Sequence, residues 1–321
     1  MAVAQRLDLD RFNEVGYLVV EDVLDPESDL APVIQEYGQL LDDLSTRWKS
    51  EGKLPETFAD LPFPQRFARI VQEAKDLNEI SHFDISLPDK GVTEQTPIHL
   101  GPGAFGLLTN RRLLDAVEQI VGPEVYSNPI QHARIKPPER EVPEELQKGS
   151  LMGQSDWHQD RGVHLPEADQ TDILTVWLPV TDATVENGCL RVIPGSHLNG
   201  LVTHCANKGN SIPADLRIGL ETPVSIRRGG VLFMHHLCQH SSLSNISDGI
   251  RWSFDLRYHP IGQATGRPWL PGFVARSRRD PASAISDPRV YADLWRAART
   301  RMVAEAPDKV NRWTGEEPIC A

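Results

Sequence analysis

Residues 172–194 read DILTVWLPVTDATVENGCLRVIP, and their texture decides the fold class. Ile, Val, Trp and Thr crowd the first half, a second apolar run closes the stretch, and Asn187-Gly188 lies between them. β-branched and aromatic residues suit the pleated surface of a sheet. An Asn-Gly pair suits a type I′ turn, whose two central residues both need positive φ. The stretch therefore predicts two strands joined by a hairpin. The same texture recurs on either side, in EVYSNPIQHARIK (124–136), PVSIRRGGVLFMHHL (223–237) and IRWSFDLRYHP (250–260). Pro194-Gly195, Gly229-Gly230 and Asp248-Gly249 punctuate these runs. Short antiparallel strands between such turns are the pattern of a sandwich or open barrel.

Upstream the pattern is helical. LDLDRFNEVG predicts a short amphipathic helix ending at Gly16, and YLVVEDVL a strand after it. Asp25-Pro26-Glu27 marks a helix start, with proline just inside and acids in the first turn. Leu30, Val33, Ile34, Tyr37, Leu40, Leu41 and Leu44 then recur at helical spacing over 26–50. Further helices are expected over 64–80 and 110–121, the latter closed by Gly122-Pro123. The polar stretch 137–154 has no periodicity and reads as a long loop; the loop 138–155 and the Pro/Gly/Arg-rich arm 261–280 are candidate lids. A last helix is expected over 288–304. The whole predicts one α+β domain over 1–321: a mostly helical layer (1–122), a β core (123–260), and a C-terminal arm and helix (261–321).

At 321 residues the chain has ample length for a core without staples, and its net charge of −12 argues against nucleic acid or an anionic membrane as partner. No apolar run is long enough to span a bilayer, and the N-terminus carries acids where a signal peptide would be apolar. Cys189, Cys205, Cys238 and Cys320 show none of the short spacings of a zinc knuckle. The expectation is reduced thiols in a soluble, cytoplasmic protein that takes a small-molecule substrate.

The chemistry concentrates in SDWHQDRGVH, residues 155–164. On a strand, positions i and i+2 share a face, so His158 and Asp160 aim an imidazole and a carboxylate at one point, while Trp157 and Gln159 point away as outer support. A third ligand is needed, and LFMHHLCQHSSLSN offers His235, His236 and His240. Two imidazoles and one carboxylate form the facial triad of non-haem iron(II), which leaves positions open for small molecules. His240 is preferred because Arg251 follows eleven residues later, a separation that adjacent strands around a turn bring side by side. A guanidinium there suits a carboxylate ligand, and Ser253 faces the same way.

WHQD, VWLPVTDATVENGCLRVIPGSH and HSSLSN…IRWSFDLRY together resemble the phytanoyl-CoA dioxygenase family of iron(II)/2-oxoglutarate oxygenases, and the similarity covers roughly 12–260, with GYLVVEDVLDPE near its start. The resemblance implies a double-stranded β-helix, the jelly-roll or cupin architecture. It implies His158, Asp160 and His240 as catalytic iron ligands, and Arg251 with Ser253 as the grip on the distal carboxylate of 2-oxoglutarate. Trp177 and Ser242 fall where similar proteins line the cosubstrate pocket; Gln131 and Lys136 are further candidates for it. Iron(II), 2-oxoglutarate and O2 are the implied cofactors, with ascorbate as a stimulant. Hydroxylation of an aliphatic C–H, with release of succinate and CO2, is the implied reaction, and the intact Asp160 carboxylate favours it over halogenation. The alternative is a cupin that binds metal without oxidation, an isomerase or hydrolase, which would leave Arg251 and Ser253 without a purpose.

Other polar residues carry weaker signals. Arg161 and His164 could touch substrate or solvent, and Arg191 could face the pocket or the outside. Cys189 reads as a small core residue. Arg227-Arg228 and the run RSRRD (276–280) read as solvated charge.

Overall fold

The computed structural model describes residues 5–73, 81–143 and 155–321. Helix α1 (Leu9–Val15) is capped by the Asp8 side chain and ends on Gly16, whose φ of 81° is left-handed. Strand β1 (Tyr17–Val20) follows. Asp25 caps one wide π turn (Pro26–Leu30), which runs into α2 (Ala31–Ser50). The buried stripe of α2 is Val33, Tyr37, Leu41, Leu44 and Trp48, as its spacing predicts. Helices α3 (Phe63–Glu73), α4 (Pro102–Leu108) and α5 (Arg111–Val121) complete the layer. The rest of the helix expected over 64–80 lies largely outside the described residues.

Ten strands among the described residues form two antiparallel sheets. They continue with β2 (Glu124–Ser127), β3 (His132–Lys136), β4 (Leu174–Pro179), β5 (Leu190–Val192) and β6 (Thr222–Val224). Then come β7 (Val231–His235), β8 (His240–Ser242), β9 (Arg251–Pro260) and β10 (Phe273–Ser277). The larger sheet runs β1-β7-β4-β9-β2-β10, with β3 also paired to β9; the smaller runs β6-β5-β8. Strand β9 is the spine: β4 lies along one side, β3 and then β2 along the other. A one-turn helix, α6 (Asp160–Val163), precedes β4. A last helix, α7 (Pro288–Ala304), starts on an Asp287 cap.

Alternation divides the larger sheet's two faces. Val176 and Leu178 of β4, Val231 and Phe233 of β7, and Trp252, Phe254, Leu256 and Tyr258 of β9 share one core with the helices. Trp177, Leu232 and Met234 face the opposite way and pack with Cys189, Leu190 and Val192 at the smaller sheet. Both faces of β4 and β7 are thus covered, which is why they read as unbroken apolar runs. Each fully buried large side chain contributes about 1.5–3 kcal/mol.

Four expectations are corrected here. Strands β4 and β5 belong to different sheets, so 172–194 is a crossover, not a hairpin. Only Gly188 is left-handed there, at φ 88°. The Asn187 side chain instead accepts from the Thr184 N–H and donates to the Asp182 carbonyl, each at 2.7 Å, which folds the loop locally. Strands β8 and β9 likewise sit in different sheets, so His240 and Arg251 do not meet as hairpin neighbours. The arm 261–280 is no free flap, since β10 pairs with β2 and Arg276 bridges Asp115 and Glu118. The other candidate lid, 138–155, lies mostly outside the described residues.

The fourth correction concerns the thiols. Cys205 and Cys320 form a disulfide across 115 residues, with Cα atoms 5.3 Å apart. Spacing rules written for local knuckles cannot see so distant a pair, and the ordinary Cα separation of a disulfide is met only once the tail has docked. This removes the reduced-thiol premise behind the cytoplasmic expectation for that pair. Cys189 and Cys238 are free and buried. No helix among the described residues is long and apolar enough to cross a membrane.

Candidate metal centre

His158, Asp160 and His240 offer one donor atom each, all within 4.8 Å of one another. The backbone that brings them together is irregular. His158 makes a single β-bridge with His240, through N–H···O bonds of 2.9 and 3.0 Å in both directions. Asp160 then opens the one-turn helix α6. The pair is a strand-to-helix corner, not two positions of one continuing strand. Gln159 and Trp157 do point away. Gln159 Nε2 donates to the carbonyls of Gly200 and Leu237, and Trp157 lies beneath Arg191 and Arg217.

Hydrogen bonds fix the imidazole tautomers. His158 Nδ1 lies 2.7 Å from the Asp156 carbonyl and His240 Nδ1 3.0 Å from that of Cys238. A carbonyl only accepts, so both Nδ1 atoms carry a proton, and Nε2 is the nitrogen each neutral ring would offer to a metal. Burial pushes the His158 pKa down to about 3, with His240 adding to the effect. Asp160 is held by two partners: Arg257 Nη2 donates to Oδ1 at 2.5 Å, and Thr175 Oγ1 donates to Oδ2. Burial alone would raise this carboxyl, but Arg257 and the two imidazoles outweigh it and hold the pKa well below the usual range. Neutral imidazoles and an ionised carboxylate are the donor forms a divalent ion requires.

The cavity behind the triad lies between the sheets. Trp177, Arg134, Arg251, Asp255 and Arg257 reach it from the larger sheet; Leu190, His240 and Ser242 from the smaller. Arg251 is buried, with Nη1 2.7 Å from Ser253 Oγ, Nε 3.2 Å from the Gly188 carbonyl, and its guanidinium 5.6 Å from the Trp177 ring centre. Burial pushes its pKa down to about 10. Asp255, on the same face, pairs with Arg134. Among the described residues, no carboxylate forms an ion pair with Arg251. Lys136 Nζ donates to Ser242 Oγ at 2.9 Å and to the Leu243 carbonyl at 2.8 Å. Burial, then Arg251 and Arg134, push its pKa well down.

Five of the residues singled out in sequence thus converge at or beside this cavity with the triad: Trp177, Ser242, Lys136, Arg251 and Ser253. Gln131 does not join them. It faces the helical layer, with Nε2 2.7 Å from Tyr291 Oη and 3.3 Å from the Ile85 carbonyl. Strand parity explains the difference: His132, Arg134 and Lys136 share one face of β3, and Gln131, Ala133 and Ile135 the other. Sequence reading missed Arg134, Thr175, Asp255 and Arg257. The last two are i+4 and i+6 from Arg251, and the alternation that selected Ser253 would have found both.

The remaining candidates are structural. His235 packs against His197 and His236, and His236 Nδ1 lies 2.8 Å from the Ile173 carbonyl. Arg161 binds the carbonyls of Asp169 and Thr171, and buried His164 binds that of Asp160. Arg191 pairs with Glu221 and Ser241 outside the cavity. Arg227 and Arg228 bridge Glu21, Asp22 and Glu27 at the surface.

A wider chamber of about 510 Å³ opens onto the same centre. It shares Arg134, Ser155, His158 and Arg257 with the inner pocket. Asp89, Asp156, Asn210 and Arg267 give it a polar wall; Leu87, Ile130, Val163 and Leu270 an apolar one. Arg267 Nε meets Asp89 at 3.0 Å.

Comparison with known proteins places the chain by fold and family. The rat phytanoyl-CoA dioxygenase domain-containing protein 1 is 24% identical over 296 residues, covering 85% of this chain and 94% of its own. A solved non-heme monooxygenase, ThoJ, superposes with a TM-score of 0.55 at 19% identity, covering 93% of this chain and 99% of its own. The epimerase SnoN, solved with Fe3+, alpha ketoglutarate and nogalamycin RO, gives 0.51 at 18% identity over 87% of this chain and 94% of its own. These two likenesses show a shared fold. The family model described as Phytanoyl-CoA dioxygenase (PhyH) matches residues 12–253, and the chain belongs to that family.

Proposed function

We propose that the chain is an iron(II)/2-oxoglutarate-dependent dioxygenase, a single oxygenase domain over 1–321 on a double-stranded β-helix, that hydroxylates an aliphatic C–H of a small organic metabolite. One observation carries the reading: a buried guanidinium, Arg251, that forms no ion pair among the described residues lines the same pocket as His240 and His158. An unpaired buried cation is costly, and an anionic ligand offsets that cost. The charges agree. Arg134, Arg251 and Arg257 face two carboxylates, Asp160 and Asp255, before any metal is counted. A divalent ion would raise that excess from one to three positive charges, and a dianionic chelator would bring it back to one.

His158, Asp160 and His240 would hold the iron on one side, which leaves the other side open. Bound iron(II) with 2-oxoglutarate and O2 would supply the oxidative chemistry, one oxygen atom of O2 ending in succinate and the other in the hydroxylated product, with CO2 released. The protein's part is placement. Arg251 and Ser253 hold the distal carboxylate, Trp177 walls the chain of the cosubstrate, and Ser242, itself bound by Lys136, closes the end of the pocket. Arg257 and Thr175 keep Asp160 ionised and in one orientation. The outer chamber admits the substrate beside His158, and its mixed lining suits a molecule that carries both hydroxyl-type and apolar groups.

Purified protein mixed with iron(II), ascorbate and 2-oxoglutarate under air is expected to release succinate slowly without substrate. No succinate, together with tightly retained zinc, would favour a non-oxidative metal enzyme and overturn the reading.

A further inference from the structure

The one-turn helix that carries Asp160 is too short to satisfy its own last carbonyls. His164 N–H reaches the Arg161 carbonyl at 3.3 Å, and the C-terminal tail supplies further donors. Trp313 Nε1 donates to the Gly162 carbonyl at 2.8 Å, and Arg312 Nη1 to that of Arg161 at 3.0 Å. Arg312 also grips both oxygens of Asp169, at 2.8 and 2.7 Å. The Trp313 ring stacks on His204, with centres 5.4 Å apart and planes 16° from parallel. His204 in turn accepts the Gln159 N–H on Nε2 at 2.8 Å while Nδ1 donates to the Val202 carbonyl. Gly162 is glycine because a Cβ there would lie 2.3 Å from His204 Nε2. The backbone on both sides of Asp160 is therefore clamped by a His204–Trp313–Arg312 wedge.

The residue after His204 is Cys205, and its disulfide to Cys320 is buried. The tail makes further contacts at the same loop: Asn311 donates to Asn210 Oδ1 at 2.6 Å, and Asn207 to the Cys320 carbonyl at 3.4 Å. Gly209 and Asn210 line the outer chamber. One covalent bond thus holds a segment that supports both the metal loop and a wall of the substrate chamber.

We infer that the C-terminal tail is a working part of the metal centre: Arg312 and Trp313 are positioning residues for Asp160, and the Cys205–Cys320 disulfide latches them, so that thiol reduction loosens the site. The inference rests on the reading of His158, Asp160 and His240 as metal ligands. A dithiol would cleave the S–S bond by passing two electrons and two protons to the pair. Both cysteines become thiols, and the reductant closes to its own disulfide.

Anaerobic titration of the full-length protein with cobalt(II) or iron(II), beside 2-oxoglutarate binding and thermal unfolding, tests this. Cys205→Ser/Cys320→Ser and Trp313→Ala are each expected to weaken metal binding by about 10-fold, the lower end for loss of an outer partner. Combining them should add less than two-fold, because both release the same wedge. Trp313→Phe, which keeps the ring but loses the donor, should fall between, and Arg312→Lys should retain part of the affinity. Folded wild-type protein treated with a dithiol that is then removed should behave as the double serine variant, which covers the case in which that variant misfolds. Metal affinity within two-fold of wild type, with loss of the disulfide verified by mass, overturns the inference while the site reading stands. Wild-type protein that binds no divalent ion overturns the site reading and the inference with it.

Discussion

On β9, Arg251, Ser253, Asp255 and Arg257 reach the cavity from alternate positions of one ten-residue strand. The three donors of the metal corner come from three separate scraps of backbone: an isolated bridge, the first residue of a one-turn helix, and a three-residue strand. The spine needs little help, because the pleat and its hydrogen-bonded neighbours on both sides place each side chain. The corner has no such ladder, and its side chains are placed one by one. His158 and His240 are oriented by carbonyls, Asp160 by Arg257 and Thr175, and the backbone around Asp160 by His204 and the tail. A regular element delivers charge in fixed steps; an irregular one brings unlike donors to one point at the cost of a larger supporting shell.

The largest effect is expected where the corner loses a donor. Asp160→Ala should weaken iron(II) or cobalt(II) binding by more than the roughly 10–100-fold that loss of an outer partner costs. It should also lower the thermal midpoint, because Arg257 is left buried and uncompensated. Retained metal affinity in calorimetry would mean that the corner is not a metal site.

Next comes the spine. Arg251→Ala should raise the 2-oxoglutarate KM by ~30-fold or more, as truncating one partner of a buried charge pair costs about 2–5 kcal/mol. Metal affinity should stay within two-fold, since Arg251 touches Ser253 and Gly188 and no metal donor. Equal loss of both would erase the division between the two walls. Arg257 is where they meet: it sits on the spine but serves the corner. Arg257→Gln should therefore behave like a corner variant, with metal binding about 10–100-fold weaker and a smaller change in 2-oxoglutarate KM. Thr175→Val removes one neutral donor from the same carboxylate and should cost about 1 kcal/mol, or ~5-fold in metal affinity.

The two histidines that sequence weighed against His240 report on stability. Burial, with neighbouring cationic groups, holds His235 at about 3 and His236 at about 4. Both lie below the unfolded value near 6.5, so the unfolded chain binds more protons between those limits. Stability should be fully present above about pH 6.5 and fall as pH drops toward 4. The urea midpoint measured at pH 7, 5.5 and 4.5 checks this, and His236→Gln should flatten the decline. A midpoint that rises on acidification would contradict the buried, neutral state.

What sequence could supply follows the same division. Strand texture revealed the strands of both sheets other than β10, which was read as part of the arm 261–280, and spacing revealed the buried stripe of α2. Which strands pair was illegible at 172–194, because a crossover between sheets and a hairpin share the same apolar–turn–apolar order. Local hydrogen bonds of Asn187 decided the turn. His158 and Asp160 were legible as an i, i+2 pair although their backbone is not a strand, since both arrangements put alternate side chains on one side. His240 was preferred for proximity to Arg251, on a hairpin that does not exist; the structure brings His240 beside His158 and Asp160, and Arg251 lines the same pocket from the other sheet. The disulfide and the tail that it fastens left no local signal, because their contacts join residues more than a hundred positions apart.

Gln131 provides the smallest expected effect on the site and the sharpest check on strand parity. Gln131 and Lys136 differ by an odd number of positions, so a regular strand cannot aim both into one pocket. In Gln131→Leu, the lost amide leaves the Tyr291 hydroxyl and the Ile85 carbonyl short of a partner in a buried layer. Unmet buried groups of this kind cost about 1–3 kcal/mol, visible as a lower urea midpoint. Metal affinity and the 2-oxoglutarate KM should stay within two-fold. Tyr291→Phe should cost less when added to Gln131→Leu than in wild type, because the two native side chains share one hydrogen bond. A steep rise in KM without loss of stability would place Gln131 in the pocket after all, and would mean that β3 does not carry its side chains as its register with β9 requires.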